Sequence, residues 1–291
     1  MKTAVAMCTY FGEKYLAEQL DSIFGQSLLP DRLFVYDDGS GDRTWEILRR
    51  YRDEHPERVT LLRDGRHRGI NAGMRYLLSR VEADAVFLCD QDDVWMPDKV
   101  KTMLAIARAQ PDWTATPCII HSEARLKPGS SRYRLMSDLI GKRKRPPELE
   151  DLFCHNLVQG CSMLVNRPLL RMMTGPMNDE VPHCIYDQWM ALTATAFGRV
   201  LFCPEALMEY RIHGANTVGS LQVNLHEKYG LSRNRKLACE FLYCFGSQLS
   251  DEQRLRVRYW IRNGHRRIRR DNLLLLLGKG GLALCFGIKN V

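Results

Sequence analysis

Residues 87–99 read FLCDQDDVWMPDK, an apolar run followed at once by Asp90, Asp92 and Asp93. The apolar residues 86–88 predict a buried strand. Three carboxylates within four residues repel one another unless a cation or hydrogen-bond donors compensate their charge. Such oxygen ligands favour Mg²⁺ or Mn²⁺, which keeps coordination positions open for phosphates. The stretch therefore predicts a divalent-metal site at a strand end. The alternative is a solvated acidic turn ahead of the next helix.

The first 120 residues show a regular alternation of strand and helix patterns. Strands are predicted at 3–8, 32–36, 59–62 and 85–88, with helices at 15–24, 44–51, 70–79 and 98–109. Near-continuous apolar strands that alternate with helices predict an α/β fold, in which a mostly parallel sheet has helices on both faces. Ligands of such sheets bind at the carboxyl ends of the strands.

Polar residues follow three of these strands. Thr9 and Tyr10 come after the first strand, and Asp37 and Asp38 come after the second in a DDGS turn. With the acids after the fourth strand, all three sets are expected at one edge of the sheet. Asp37 and Asp38 could initiate the turn and cap the helix near residue 44. An acid there could also accept hydrogen bonds from a pyrimidine base or a ribose.

The second half of the chain carries further candidate groups. The polar segment 122–151 predicts an extended, partly mobile insertion over the site, and an apolar strand is predicted at 159–166. Asp187 stands at a helix start, where an acid is a capping residue first and a catalyst second. Arg211 and His213 follow a predicted strand, which favours a phosphate or metal contact.

Composition limits the class of protein. The chain has 291 residues, of which 45% are hydrophobic, enough to bury one large domain or one domain with an appendage. Its ten cysteines form no CxxC pair, and the N-terminus resembles a first strand rather than a signal peptide. No apolar run reaches the roughly 18 residues that a spanning helix needs. We therefore expect a cytoplasmic protein with reduced thiols.

The net charge of +8 is unevenly distributed. Residues 254–271 contain eight arginines, and residues 142–145 read KRKR. Basic patches favour polyanions such as lipid headgroups, pyrophosphates or nucleic acid, although a solvated helix face explains the arginines equally well. Nucleic acid is disfavoured because no recognised binding motif is present. Arginines beside apolar patches in a helical C-terminal unit suit peripheral contact with an anionic membrane.

Six motifs, taken together and in order, resemble the inverting family 2 glycosyltransferases, which have a Rossmann-like GT-A fold. They are CTYFGEKYLAEQLDSI, VYDDGSGDRT, FLCDQDDVWMPDK, GCSMLVNRPLL, YDQW and YRIHGANTVG. Bacterial rhamnosyltransferase-type enzymes that build cell-surface polysaccharide are the most similar. The resemblance implies a catalytic domain over residues 1–220, with a nucleotide-sugar half at 1–120 and an acceptor half at 121–220. It fades over residues 221–291, where a small, basic helical extension is expected.

The resemblance also implies roles for individual residues. The residues that it implies for nucleotide-sugar binding are Thr9, Tyr10, Asp37, Asp38, Asp90, Gln91 and Arg211. Asp92 is the expected direct ligand of the metal, Mg²⁺ or Mn²⁺, with Asp93 next to it. His213 is implied as a further metal contact. Asp187 matches the general base, which removes a proton from the acceptor hydroxyl.

The activity that these roles imply is the transfer of one sugar from a nucleotide-diphosphate donor. The chain lacks the QxxRW motif of processive synthases, and Gln188 and Trp189 depart from the residues that more often follow the base. A dTDP-deoxysugar such as dTDP-rhamnose is the favoured donor, and a cell-surface polysaccharide or lipid-linked glycan is the expected acceptor. Two alternatives are a nucleotidyltransferase and a catalytically silent nucleotide-sugar-binding module.

Overall fold

A computed structural model describes residues 1–127, 134–140, 146–173, 184–213 and 231–263. The strands are β1 (Thr3–Thr9), β2 (Arg32–Asp37), β3 (Val59–Leu62), β4 (Ala85–Cys89), β5 (Val94–Trp95), β6 (Cys118–Lys127), β7 (Met163–Asn166) and β8 (Arg199–Arg211). The helices are α1 (Leu16–Phe24), α2 (Thr44–Glu54), α3 (Gly69–Leu78), α4 (Lys99–Arg108), α5 (Met136–Ile140), α6 (Leu149–Cys154), α7 (Arg167–Met173), α8 (Tyr186–Phe197), α9 (Leu231–Phe245) and α10 (Asp251–Asn263).

The strands form one sheet in the order β3-β2-β1-β4-β7-β6-β8-β5. Its first four strands are parallel, as predicted. β7 then runs antiparallel to both β4 and β6, β8 is parallel to β6, and the short β5 is antiparallel to β8. The α/β class is confirmed, with a parallel half followed by a mixed half.

The sheet buries side chains on both faces. In β1, Ala4 and Ala6 belong to one core cluster, whereas Val5 and Met7 belong to the other. All four are at most 1% exposed. A strand that is covered on both faces has no polar face, which explains why these strands read as near-continuous apolar runs.

The C-terminal helices α9 and α10 confirm the helical prediction for residues 231–263. They pack on the same core cluster as α6 and α8. The ring centroid of Phe241 lies 5.5 Å from that of Trp189, and the ring centroid of Trp260 lies 5.2 Å from that of Phe153. These two helices therefore complete the core beneath α8. The apolar segment 273–288 lies outside the described residues.

The predicted polar insertion at 122–151 is wrong for its two ends. β6 continues to Lys127, and α6 begins at Leu149. The strand buries polar side chains: Glu123 is 5% exposed and its Oε1 accepts hydrogen bonds from the backbone N–H groups of Ala124 and Ser137. The polar residues at the start of this segment therefore led to the prediction of an insertion where the structure has a buried strand. The KRKR run at 142–145 lies outside the described residues.

The predicted strand at 159–166 is also shorter than expected. β7 begins at Met163, and residues Gly160–Ser162 form a single turn of 3₁₀ helix. This turn, called the 160–162 turn below, contacts two parts of the site.

As for membrane crossing, none of the helices described is long and apolar enough to span a bilayer.

Candidate active site

The carboxyl ends of β1, β2 and β4 meet at one edge of the sheet. Thr9 is paired with Asp37 across β1 and β2, and Met7 is paired with Cys89 across β1 and β4. This register places the residues that follow the strands side by side. It brings the predicted nucleotide and metal residues to one edge.

Gln91 fixes the loop that follows β1. Its Oε1 accepts a hydrogen bond from the backbone N–H of Tyr10 at 2.9 Å, and its Nε2 donates to the Tyr10 carbonyl at 3.0 Å. Phe11 has a φ of 50°, and a Cβ at Gly12 would lie 2.4 Å from Gln91 Oε1. The amide therefore pairs with the loop backbone as a neighbouring strand would. It leaves the Tyr10 ring half exposed against the ring of His67, with 4.5 Å between centroids.

Asp37 organises the DDGS turn. Its carboxylate is fully buried and accepts hydrogen bonds from the hydroxyls of Thr9 at 3.2 Å and Ser40 at 2.5 Å. Arg63 pairs with it, with 3.1 Å between Nε and Oδ2. These contacts neutralise a buried charge, which would otherwise be costly. Arg63 was not identified from the sequence as a partner of Asp37.

Asp38 binds the start of α3. Its Oδ1 accepts a hydrogen bond from the N–H of Arg68 at 2.6 Å, and its Oδ2 accepts one from the N–H of Gly69 at 2.9 Å. The expected cap on α2 comes instead from Asp42, whose Oδ1 accepts the Thr44 N–H at 3.1 Å. The reading of Asp37 and Asp38 as caps of α2 is therefore wrong, because Asp38 caps a helix that starts 31 residues later.

The acids after β4 divide into two groups. Polar atoms of Asp90, Asp93 and Cys161 lie within 4.8 Å of one another and could hold a metal ion. Asp93 Oδ1 accepts the backbone N–H of Arg211 at 3.0 Å, while its buried Oδ2 has no hydrogen-bond partner. We call these three residues the acid cluster. The other acid, Asp92, is paired with His213, with 2.8 Å between Oδ2 and Nε2.

The environment of the acid cluster disfavours the ionised form of its carboxyl groups. Burial, with the neighbouring charge of Asp92, raises the pKa of Asp93 to about 7. Burial followed by the charges of Asp93 and Asp92 holds the pKa of Asp90 well above its ordinary value. A buried oxygen without a donor and carboxylates that resist ionisation both fit a site for a divalent cation. Asp90, Asp93 and Cys161 are the residues whose ligand atoms lie close enough together to hold one.

Lys99 and Arg211 bring positive charge to the acidic loop after β4. Lys99 is fully buried, and its Nζ donates to the Cys161 carbonyl at 2.9 Å, so a positive charge lies beneath the acid cluster. Burial lowers the pKa of Lys99. Arg211 donates from Nε to the Asp92 carbonyl at 2.9 Å and pairs with Glu18 at 2.5 Å. Sequence reasoning named Arg211 but missed Lys99, since a lysine in a helix pattern usually indicates a solvated face.

Asp187 lies in the first turn of α8 and is 7% exposed. Its Oδ2 accepts the backbone N–H of Gly160 at 2.9 Å, and its Oδ1 accepts that of Gln188 at 2.7 Å. Burial raises the pKa of Asp187, against the opposing effect of hydrogen bonds that include the Asn156 side chain. The N-cap residue itself is Ile185, while Asp187, in the first turn, binds the Gln188 N–H of the same helix start.

The 160–162 turn joins Asp187 to the acid cluster. Gly160 binds the Asp187 carboxylate, and the next residue, Cys161, is a member of the cluster. The Asp187 charge also contributes to the raised pKa of Asp90. A buried carboxylate of raised pKa and a cation-binding cluster therefore share one site.

Comparison with known proteins identifies the family. The model of glycosyl transferase family 2 matches residues 4–169, more than half of the chain. The chain belongs to glycosyltransferase family 2. The resemblance in the six motifs is thereby confirmed, and the protein is a glycosyltransferase.

Similar proteins span most of the chain. It is 25% identical over 244 residues to the dTDP-rhamnosyl transferase RfbG of Shigella flexneri, covering 79% of this glycosyltransferase and 80% of RfbG. The crystal structure of S. aureus TarS 1–349 in complex with UDP-GlcNAc superposes with a TM-score of 0.65 at 18% identity, covering 95% of this chain and 76% of that one. The mannosyltransferase PcManGT from Pyrobaculum calidifontis, in complex with GDP-Man and Mn²⁺, gives 0.56 at 17% identity, covering 100% and 76%. These likenesses establish the GT-A fold.

Proposed function

We propose that this glycosyltransferase moves a single sugar, with rhamnose or a related deoxysugar favoured, from a nucleotide diphosphate to a hydroxyl of a glycan, with inversion. The observation that carries the proposal is the position of Asp187, a buried carboxylate bound to Gly160 and electrostatically coupled to Asp90. A base beside a cation-binding acid cluster is what sugar transfer from a diphosphate requires.

The proposed reaction assigns Asp187 the role of general base. As the acceptor oxygen attacks the anomeric carbon, its proton passes to the Asp187 carboxylate. The bond from that carbon to the diphosphate oxygen breaks, and the electron pair leaves with the nucleotide. The raised pKa strengthens Asp187 as a base. One base opposite the leaving group implies a direct displacement, which inverts the anomeric centre.

The donor would lie along the edge formed by Tyr10, Asp38, Asp90 and Arg211. The half-exposed Tyr10 ring, held in place by Gln91, offers an apolar surface to a base. Arg211, at the end of β8, brings a guanidinium to the acid residues. A bound Mg²⁺ or Mn²⁺ at Asp90, Asp92, Asp93 and His213 would neutralise negative charge on the departing diphosphate.

The donor and the acceptor are inferred from relatives and from charge. RfbG is named as a dTDP-rhamnosyl transferase, which supports a dTDP-deoxysugar, whereas the TarS complex holds UDP-GlcNAc. The proposed acceptor is a cell-surface polysaccharide or a lipid-linked glycan. Peripheral contact with an anionic membrane is supported by the arginine-rich sequence from residue 254 onwards. Arg256, however, already forms ion pairs with Glu148 and Glu150.

A thermal-shift screen of UDP-, GDP- and dTDP-sugars, each with and without Mn²⁺, tests this proposal. A ligand that binds only the folded protein raises the melting temperature by mass action. We expect one nucleotide, with dTDP favoured, to raise it in a metal-dependent manner. No shift with any nucleotide sugar, with or without metal, would contradict the proposed donor site.

A further inference from the structure

The N-cap residue of the helix that carries Asp187 makes no side-chain hydrogen bond to the helix. This residue is Ile185, whose side chain cannot accept a hydrogen bond. The first N–H groups of a helix have no partner within the helix and need an acceptor from elsewhere. The acceptor for Tyr186, the first residue of α8, comes from another part of the chain.

Asn71 in α3 provides that acceptor. Its Oδ1 accepts the backbone N–H of Tyr186 at 2.9 Å, and its Nδ2 donates to the Cys184 carbonyl at 3.0 Å. One side-chain amide thus binds the backbone on both sides of Ile185, 115 residues along the chain from Tyr186. Both halves of the amide are used, so the position and the orientation of the chain entering α8 are fixed.

The first turn of α3 connects Asn71 to Asp38. Asp38 binds the N–H groups of Arg68 and Gly69, and Asn71 lies two residues beyond Gly69. The first turn of α3 is therefore held by an acid at the proposed donor edge, and the same turn holds the start of α8. No other chain segment is needed to join these two parts of the site.

The contact continues from Tyr186 to the base. A Cβ at Gly160 would lie 2.2 Å from the Tyr186 hydroxyl oxygen, so the Tyr186 ring packs directly on the glycine that donates to Asp187. A shift of Tyr186 would displace the 160–162 turn and the Asp187 carboxylate together. Interiors this tightly packed transmit small displacements.

We propose that Asn71 is a positioning residue, which sets the Asp187 carboxylate relative to the donor edge by capping α8 from α3. This inference rests on the proposed function of Asp187. Asn71 itself touches neither Asp187 nor the acid cluster in any contact described. Its effect is therefore on the rate of transfer, not on donor binding.

The test compares Asn71→Ala, Asn71→Asp and the control Ser79→Ala in the full-length chain. Asn71→Ala removes both hydrogen bonds, while Asn71→Asp keeps an acceptor for Tyr186 N–H and loses the donor to Cys184. Ser79 lies at the other end of α3, where its hydroxyl donates to the Tyr76 carbonyl. The measurements are kcat and donor KM for sugar transfer, and hydrogen–deuterium exchange of the backbone amides of residues 186–190.

We expect Asn71→Ala to lower kcat about tenfold, because a displaced Asp187 carboxylate loses its alignment with the acceptor hydroxyl, with little change in donor KM. Exchange at residues 186–190 should accelerate. Asn71→Asp should retain more of the Tyr186 protection, and Ser79→Ala should match the parent protein. Unchanged exchange, or an unchanged kcat despite faster exchange, would overturn the inference. A parent protein that transfers no sugar would refute the proposed function, and the exchange data would still decide whether Asn71 caps α8.

Discussion

Oδ2 of Asp92 lies 2.8 Å from Nε2 of His213, although the two residues are 121 positions apart. This pair links the acidic loop after β4 to the residues that follow β8. Asp93 instead accepts the Arg211 N–H and belongs to the acid cluster. The two neighbouring acids therefore contact different partners, and Asp92 with His213 forms the part of the proposed cation site drawn from both halves of the sheet.

The first prediction concerns His213. The substitution His213→Ala removes the imidazole that we propose as a metal ligand. We therefore expect Mn²⁺ affinity in the presence of nucleotide to fall by at least about tenfold. Calorimetric titration of Mn²⁺ measures this change. His55→Ala is the control, because His55 stacks on Phe24 and should leave the affinity unchanged. Equal affinity in the parent protein and His213→Ala would exclude His213 as a ligand.

The second prediction concerns Gln91. Gln91→Leu removes both hydrogen bonds to the Tyr10 backbone, so the loop that carries Tyr10 should lose its fixed position. We expect donor KM to rise about tenfold, since two hydrogen bonds are lost, with a smaller change in kcat. Steady-state kinetics with the control Gln248→Leu, an exposed glutamine, checks this. A rise confined to kcat would argue against a donor-binding loop.

The third prediction is a pH dependence of transfer. Asp187 acts as a base only when deprotonated, and burial raises its pKa above the ordinary value of 3.8. The rate should therefore fall as the pH drops through this raised pKa, above the range of an exposed aspartate. The Asn156 hydrogen bond lowers the pKa, so Asn156→Leu should move the acid limb of the kcat profile to higher pH. The control Asn263→Leu, at the end of α10, should not move it. An acid limb at the same pH in Asn156→Leu as in the parent protein would contradict this account.

The fourth prediction concerns the attachment of α10. Arg256 pairs with Glu148 and Glu150 at 2.8 Å, and Glu150 is only 7% exposed. Arg256→Met should lower the free energy of unfolding by about 1–3 kcal/mol, because the buried carboxylate of Glu150 loses the guanidinium that donates to it. Urea unfolding of Arg256→Met and of the exposed control Arg258→Met measures the difference. An equal loss in both variants would show that the ion pairs contribute nothing specific.

The sequence predicted the parallel half of the fold well, for a physical reason. β1 to β4 are buried on both faces, so each appears as an uninterrupted apolar run between helix patterns. β6 was missed because it buries Ser122 and Glu123, and the backbone N–H groups that bind the Glu123 carboxylate are not indicated by any local sequence pattern. Pairing with β8 along its full length determines this strand.

The site was predictable where its residues follow strands and unpredictable where a distant partner decides the role. Asp90, Asp92, Asp93 and Asp187 could be named from their positions. Their division between His213 and the acid cluster could not, since it depends on contacts across the sheet. Lys99 and Asn71 gave no signal, because each acts through hydrogen bonds to backbone groups 62 or more residues away.

The central claim is that Asp187 is the base of sugar transfer, and Asp187→Asn tests it most directly. Asparagine retains an acceptor for the Gly160 N–H but cannot take a proton at neutral pH. The measurement is transfer rate together with nucleotide-sugar affinity, with Asp84→Asn, which contacts the Lys2 N–H, as control. We predict that transfer falls by about a thousandfold, within the range for a general base, while affinity stays near that of the parent protein. A variant that transfers sugar at the parent rate would contradict the account.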